Sequence, residues 1–283
     1  MQQAVKTFGV KEAQRLSSKL DAQAEELRIL GYTVLPDVLS PAELAAARAG
    51  LDRVYQIQID EIGGRENLAA IGDTFTAMCP LAYDELFLSL ATNRQVLEVV
   101  EKLLGDYFIL MLQNGILNVP ETGSSQTSGH WHRDIGYQHF TSSRPLGITA
   151  LYCLDEFNNE TGGTRVLPGS HKAELFPSEE FVSRHERGMV APAGAVILID
   201  AMLYHRGGHN RSRNVRRGIN NVYTLPLIKQ QISLFKALNG RHSEDAFLSR
   251  LLGYDSETDA SVVEFRQRRL QRKRAGAAAT SKK

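Results

Sequence analysis

Over the first hundred residues the apolar positions recur at helical spacing, whereas beyond Gly105 they gather into short runs separated by turn residues. Ala13, Leu16, Leu20, Ala24 and Leu27 share one helical face, which predicts a first helix over residues 11–28, ended by Gly31. Tyr32-Thr33-Val34-Leu35-Pro36 reads as a short strand. The Ser40-Pro41-Ala42-Glu43 segment then starts a second helix: Ser40 can accept from the Glu43 backbone N–H, Glu43 can reach back, and Pro41 sits where its missing N–H costs nothing. A third helix is expected from about Asn93 to Leu104, stopped by Gly105.

The later runs, YFILMLQNGILNV, GITALYCLDEF, RVLPG, GMVAPAGAVILID and INNVYTLPLI, have the length and composition of strands. Asn158 to Gly163, Pro168-Gly169-Ser170 and Pro192-Ala193-Gly194 supply turns between them. Helix returns near residues 243–252, with Ser243 as the expected cap and Gly253 after the end. No repeat or linker divides the chain. The pattern predicts a mainly β fold with flanking helices, an α+β arrangement in a single domain over residues 1–263: N-terminal helices about 11–104, a β-sandwich or barrel core about 105–232, and a C-terminal helical part about 233–263.

Composition changes this picture little. Apolar residues make up 42% and charged ones 23%, ordinary for a globular core. No apolar run reaches the roughly 18 residues of a membrane span, and the N-terminus lacks the apolar stretch of a secretory signal, so a cytoplasmic protein without membrane association is expected. Cys79 and Cys153 are too few for a disulfide framework and read as core thiols. The net charge of +1 hides a basic end: residues 264–283 carry eight Lys or Arg against one Glu, read as a flexible, solvated tail rather than a nucleic-acid contact. Oligomeric state is not encoded in any such pattern.

Chemistry enters at His132-Arg133-Asp134. Strand side chains alternate between faces, so His132 and Asp134 project together and Arg133 points away. Two apart, an imidazole and a carboxylate suit a divalent first-row metal, and His205, 73 residues later at the end of an apolar run, can complete a set of two His and one carboxylate that leaves coordination positions open. Eleven residues beyond His205 lies Arg216, followed by Arg217. A guanidinium can clamp the distal carboxylate of a dicarboxylic cosubstrate such as 2-oxoglutarate, whose 2-oxo acid end would chelate iron(II) and leave a place for O2. Alternation lets only one of the two arginines face the pocket.

In these segments the chain resembles the phytanoyl-CoA dioxygenase (PhyH) family of iron(II)/2-oxoglutarate oxygenases. The matching text is Trp131-His132-Arg133-Asp134, the turn Asn158 to Gly163, Pro168-Gly169-Ser170-His171, and His205 followed by Asn210, Ser212 and Arg216, with GYTVLPDVLSPAEL upstream. The resemblance spans about residues 30–230 and implies a double-stranded β-helix, or jelly roll, flanked by helices. It implies that His132, Asp134 and His205 hold iron and act in catalysis, that Arg216 binds 2-oxoglutarate, and that Asn118 and, more weakly, Gln113 contact its C1 carboxylate. Because Asp134 is present, oxygenation is expected rather than halogenation.

Trp131, Tyr137, Gln138 and Tyr152 are expected as walls of the substrate pocket; His130 is read as substrate-facing or hydrogen-bonding, His209 as a loop residue near substrate and His171 as structural, and none of these, nor His139, is read as a ligand. The implied reaction is hydroxylation of an unactivated C–H in a small or carrier-bound metabolite, with release of succinate and CO2. Arg133, Arg144, Arg165 and Arg206 could meet an anionic substrate or be solvated charges. Two other readings stay open: a jelly roll that binds metal and 2-oxoglutarate without turnover, and a cupin-type metalloenzyme that does not use 2-oxoglutarate.

Overall fold

The protein, a computed structural model, is described over residues 5–120, 129–136 and 140–280. Ten consecutive residues of β3 (Ile109–Asn118) and nine of β9 (Arg216–Thr224) form the longest pair of a six-stranded antiparallel sheet. Around them lie β1 (Tyr32–Leu35), β2 (Thr76–Met78), β4 (Gly147–Cys153) and β7 (Val196–Asp200), in the order β1-β7-β4-β9-β3-β2. A smaller antiparallel sheet joins β5 (Arg165–Val166), β6 (Arg187–Gly188) and β8 (His205–Arg206) in the order β6-β5-β8. The two sheets make the jelly-roll core that the resemblance implies.

Helices cover one face of the large sheet. They are α1 (Lys19–Ile29), α2 (Pro41–Glu61), α3 (Arg65–Ala70), α4 (Leu86–Ala91) and α5 (Arg94–Leu104). Leu51 of α2, Phe87 of α4, and Val96 and Val100 of α5 pack with Ala150 and Tyr152 of β4 and Ile219 and Tyr223 of β9. On the opposite face Leu151, Cys153, Ile197 and Ile199 pack against Phe157, Val166 and Leu203. Every residue of β4 and β7 is buried, because both faces of these strands are covered. Cys79 and Cys153 are free, buried thiols raised to about 11 and about 12 by burial, in keeping with core packing.

A bulge in β3 between Leu110 and Leu112 resets the alternation of that strand. Beyond it Gln113, Gly115 and Leu117 face the helices, and Leu112, Asn114 and Ile116 face the interior of the jelly roll. A Cβ on Gly115 would come within 2.1 Å of the Leu51 Cδ1, so glycine lets α2 lie directly on the sheet.

Several elements differ from expectation. α1 begins at Lys19, capped by Ser18, instead of at residue 11; Leu16 is half exposed, so the preceding segment finds no surface against which a helix could bury a face. An unexpected helix, α6 (Glu179–His185), interrupts the β region, and the C-terminal part holds α7 (Leu234–Ala237) and α8 (Ala246–Leu251), the latter capped by Asp245 in place of Ser243. The basic segment is not irregular: α9 (Val262–Thr280) runs through it, as its Arg, Gln, Lys and Ala content allows. Among the described residues no helix is long and apolar enough to cross a membrane.

The start of α2 is as the sequence predicts. The Ser40 hydroxyl accepts from the Glu43 N–H at 3.3 Å, and Glu43 accepts from the Ser40 N–H at 2.8 Å. These bonds hold the Glu43 carboxyl below its ordinary range. Ser40→Ala should cost about 1 kcal/mol, read as a lower melting temperature. A carboxyl depressed on folding contributes its stability above the unfolded value and loses it as pH falls through the folded one. The gap between wild type and variant should therefore narrow on acidification below the ordinary Glu range, about 4.3; a gap independent of pH would show that the box adds nothing.

Candidate metal centre

His132 is not in a long strand. Its backbone pairs with that of His205 in β8: each N–H donates to the other's carbonyl at 3.0 Å. One residue on, alternation turns Arg133 away from the cluster into a buried site against the Ser170 carbonyl and the Tyr204 ring, and the Asp134 N–H then bonds the Ala201 carbonyl at 3.0 Å. Those backbone bonds fix three side chains that the chain separates by 73 residues. His132, Asp134 and His205 each present a ligand atom, and the three atoms lie within 4.8 Å of one another. Nε2 of His205 is 3.6 Å from the Asp134 carboxylate, and Nε2 of His132 is 4.0 Å from it.

Each imidazole is oriented from behind. Nδ1 of His132 bonds the His130 carbonyl and Nδ1 of His205 the Leu203 carbonyl, both at 2.9 Å, so Nδ1 carries the proton and Nε2 keeps its lone pair for a metal. Thr149 of β4 donates its hydroxyl to the other Asp134 oxygen. Burial opposes charge on Asp134, yet the adjacent His205 and His132 outweigh it and hold the carboxyl down at about 2. Burial likewise opposes charge on His205, and Asp134 reverses the sign and raises it; His132, buried and beside His205, is lowered. Two neutral-capable imidazoles and one fixed carboxylate fit an open iron(II) site.

The cluster opens into a cavity of about 420 Å³. Its apolar walls include Phe75, Met78, Leu112, Ile116, Leu151 and Ile199. Arg216 also lines it, nearly fully buried. One Nη of Arg216 donates to the Gly162 carbonyl at 2.8 Å, its guanidinium lies 4.0 Å over the Phe157 ring, and its Nε is buried without a hydrogen-bond partner. Among the described residues no carboxylate pairs with it, and burial lowers it to about 10. A buried cation lacking a counter-charge is costly, so an acidic ligand in this cavity would be favoured. Arg217 settles the choice between the two arginines: it turns to the helical side and pairs with Asp52 of α2 at 2.8 Å and with Asp155.

Other expected residues lie elsewhere. Gln113 does not reach the cavity. Its amide bonds the Leu81 N–H, the Phe87 carbonyl and Asn221 within the helical layer, because β3 alternation sends position 113 to that face. Tyr152 is likewise core, donating to the Leu90 carbonyl among the helices. Trp131 is not among the cavity-lining residues: it packs near Phe176, and the guanidinium of Arg206, which does line the cavity, lies 5.3 Å over its ring. Asn118 shares the cavity-facing parity, but its amide nitrogen donates to the Gly162 and Gly208 carbonyls. Tyr137, Gln138 and His139 lie outside the described residues. His171 is buried in the Pro168 turn, its Nε2 3.2 Å from the Arg28 carbonyl, away from the ligands.

Thr149, Asn114 and Asn220 were not anticipated. The last two are register partners on β3 and β9 that turn their side chains into the cavity with buried, unpartnered carbonyl oxygens. Their signal was parity: Asn114 shares the face of Leu112, and Asn220 that of Arg216.

Replacing Asp134 with Ala should abolish tight iron(II) binding, and His205→Ala should do the same, measured by anaerobic metal titration. Because His205 is raised, a proton competes with metal at higher pH than at an ordinary His. Iron affinity should fall on acidification below neutrality; an affinity flat between about pH 5 and 8 would contradict the assignment of His205 as a ligand.

Comparison with known proteins agrees with this geometry. The phytanoyl-CoA dioxygenase (PhyH) family profile matches residues 28–218. An uncharacterised protein of Mycobacterium tuberculosis is 31% identical over 92% of this chain and 97% of its own length. The human peroxisomal phytanoyl-CoA dioxygenase is 25% identical over 69% of this chain and 56% of its own. Among solved structures, EctD from S. alaskensis with 2-oxoglutarate and 5-hydroxyectoine is similar in fold, with a TM-score of 0.58 at 22% identity over 74% of this chain and 77% of that one. The epimerase SnoN in complex with Fe3+, alpha ketoglutarate and nogalamycin RO gives 0.57 at 20% identity, over 73% and 84%. The chain thus belongs to the phytanoyl-CoA dioxygenase (PhyH) family and is a non-haem iron(II), 2-oxoglutarate-dependent oxygenase.

Proposed function

We propose that this oxygenase hydroxylates an unactivated C–H bond of a small or carrier-bound metabolite, with His132, Asp134 and His205 holding iron(II) and Arg216 holding the distal carboxylate of 2-oxoglutarate. The observation that carries the reading is Arg216: a buried guanidinium without a carboxylate partner among the described residues, in the cavity that the three metal-ligating side chains share. Iron(II) with 2-oxoglutarate supplies O2 activation, the cosubstrate leaving as succinate and CO2.

The chain's own residues supply position. Arg216 is oriented by the Gly162 carbonyl and the Phe157 ring, and can form a bidentate pair with a carboxylate. Gly162 has φ +74°, and a Cβ there would meet the Gly208 carbonyl and the Asn118 amide at 2.6 Å, so this support tolerates no side chain. Thr149 fixes which Asp134 oxygen faces the two histidines. The apolar walls keep water from the reacting centre and suit an aliphatic portion of substrate, while Asn114 and Asn220 offer hydrogen bonds that would fix its orientation.

Anaerobic addition of iron(II) and 2-oxoglutarate should give the weak visible charge-transfer band of iron bound by a 2-oxo acid. Arg216→Ala should raise the 2-oxoglutarate concentration needed by at least about tenfold, the loss of one charged pair. Arg217→Ala, which changes the opposite face, should leave it unaltered. If iron binds but no band forms, the site belongs to a metalloenzyme that does not use 2-oxoglutarate. If the band forms but no succinate is released in air with any substrate, the chain is a binding module.

A further inference from the structure

A second cavity, of about 550 Å³, lies on the other side of the small sheet from the metal ligands. In that sheet Val166 pairs with His205 and Arg165 with Arg206, so alternation sends His205 toward the metal cluster and both arginines toward the opposite face. Arg165, Arg187, Arg206, Arg211 and His209 line this second cavity with a single acid, Glu186. The Glu186 carboxylate bridges Arg165 at 2.9 Å and Arg206 at 3.2 Å, which holds these two guanidiniums side by side. Arg206 keeps a buried Nε without a partner. Arg187 and Arg211 are exposed, and among the described residues no carboxylate pairs with either.

Four arginines around one carboxylate leave the cavity strongly positive. Its wall is kept open by glycine: a Cβ on Gly188 would lie 2.7 Å from the Asn159 side chain and 3.4 Å from the Arg165 guanidinium. Planar guanidiniums approaching from several directions match the several oxygens of a phosphoryl group better than the two of a carboxylate. We propose that this cavity is a binding site for a phosphate monoester or a related phosphoryl group, beside the iron and 2-oxoglutarate pocket, with which it shares Arg206 as a lining residue.

Two links connect it to that pocket. Arg206 follows the ligand His205 directly and lines both cavities, and Gly162, which lines the basic cavity, carries the carbonyl that holds Arg216. The phosphoryl group can therefore belong to a free phosphorylated metabolite that acts on the active site through these residues, or to the distant arm of a substrate whose reacting carbon lies at the metal. The site itself stands on the second cavity and does not depend on the proposed hydroxylation.

Calorimetric titration of the iron(II)- and 2-oxoglutarate-loaded protein with phenyl phosphate, without oxygen, tests it. Saturable binding with one site is expected, weakened at least about tenfold in the Arg187→Gln, Arg211→Gln double variant, whose two changes are at exposed side chains. Arg216→Ala should still bind phenyl phosphate, which excludes entry into the 2-oxoglutarate position. Substrate-independent succinate release then separates the two sources: a change on saturation identifies a free effector, and no change identifies the arm of a substrate. Absence of binding in wild type, equal binding in the double variant, or loss of binding in Arg216→Ala would each overturn the proposal.

Discussion

The reciprocal pair of backbone hydrogen bonds between His132 and His205 is the contact on which the rest of the centre depends. It brings together two segments far apart in sequence and sets the phase of alternation in both. His132, Asp134 and His205 then converge, while Arg133 and Arg206 turn away. A slip of one residue in this pairing would exchange ligands for arginines at the metal, so backbone register and donor set are one constraint. The Asp134 N–H bond to Ala201 extends that constraint by two residues, and Thr149 adds a side-chain bond to the carboxylate.

Arg216 and Arg217 show how the large sheet sorts charge. Neighbours in sequence, they fall on opposite faces of β9. Arg217 meets Asp52 and Asp155 at the helical edge, where partial exposure makes the pairs modest in energy. Arg216 is enclosed against Phe157 and depends on a carbonyl for its orientation. The energetic imbalance of the second arrangement marks it as a place for a ligand, whereas the first is complete within the chain.

Much of this was legible in the sequence because the signals were local. The α2 start, the strands beyond Gly105 and the parity of His132 with Asp134 each follow from a few adjacent residues. What failed depended on distant packing. Gln113 and Asn118 are five apart and cannot share a face of a regular strand, yet which of them faces inward is set by the β3 bulge, which composition does not reveal. β4 is buried on both sides, so an aromatic such as Tyr152 reads equally as pocket or core until the helices over it are known. The segment before α1 has helical periodicity but no partner surface, and α9 takes its helical form from residue propensity despite its charge.

The bulge in β3 also divides labour along a single strand. Beyond it, odd positions carry the attachment of the helices and even positions 112, 114 and 116 line the cavity, Leu112 and Ile116 also packing against the core clusters on that side. Changes at the even set therefore act first on the cavity, and changes at the odd set on how the helices are held to the sheet. The shape of the cavity and the seating of the helices are thus written in alternate letters of the same strand.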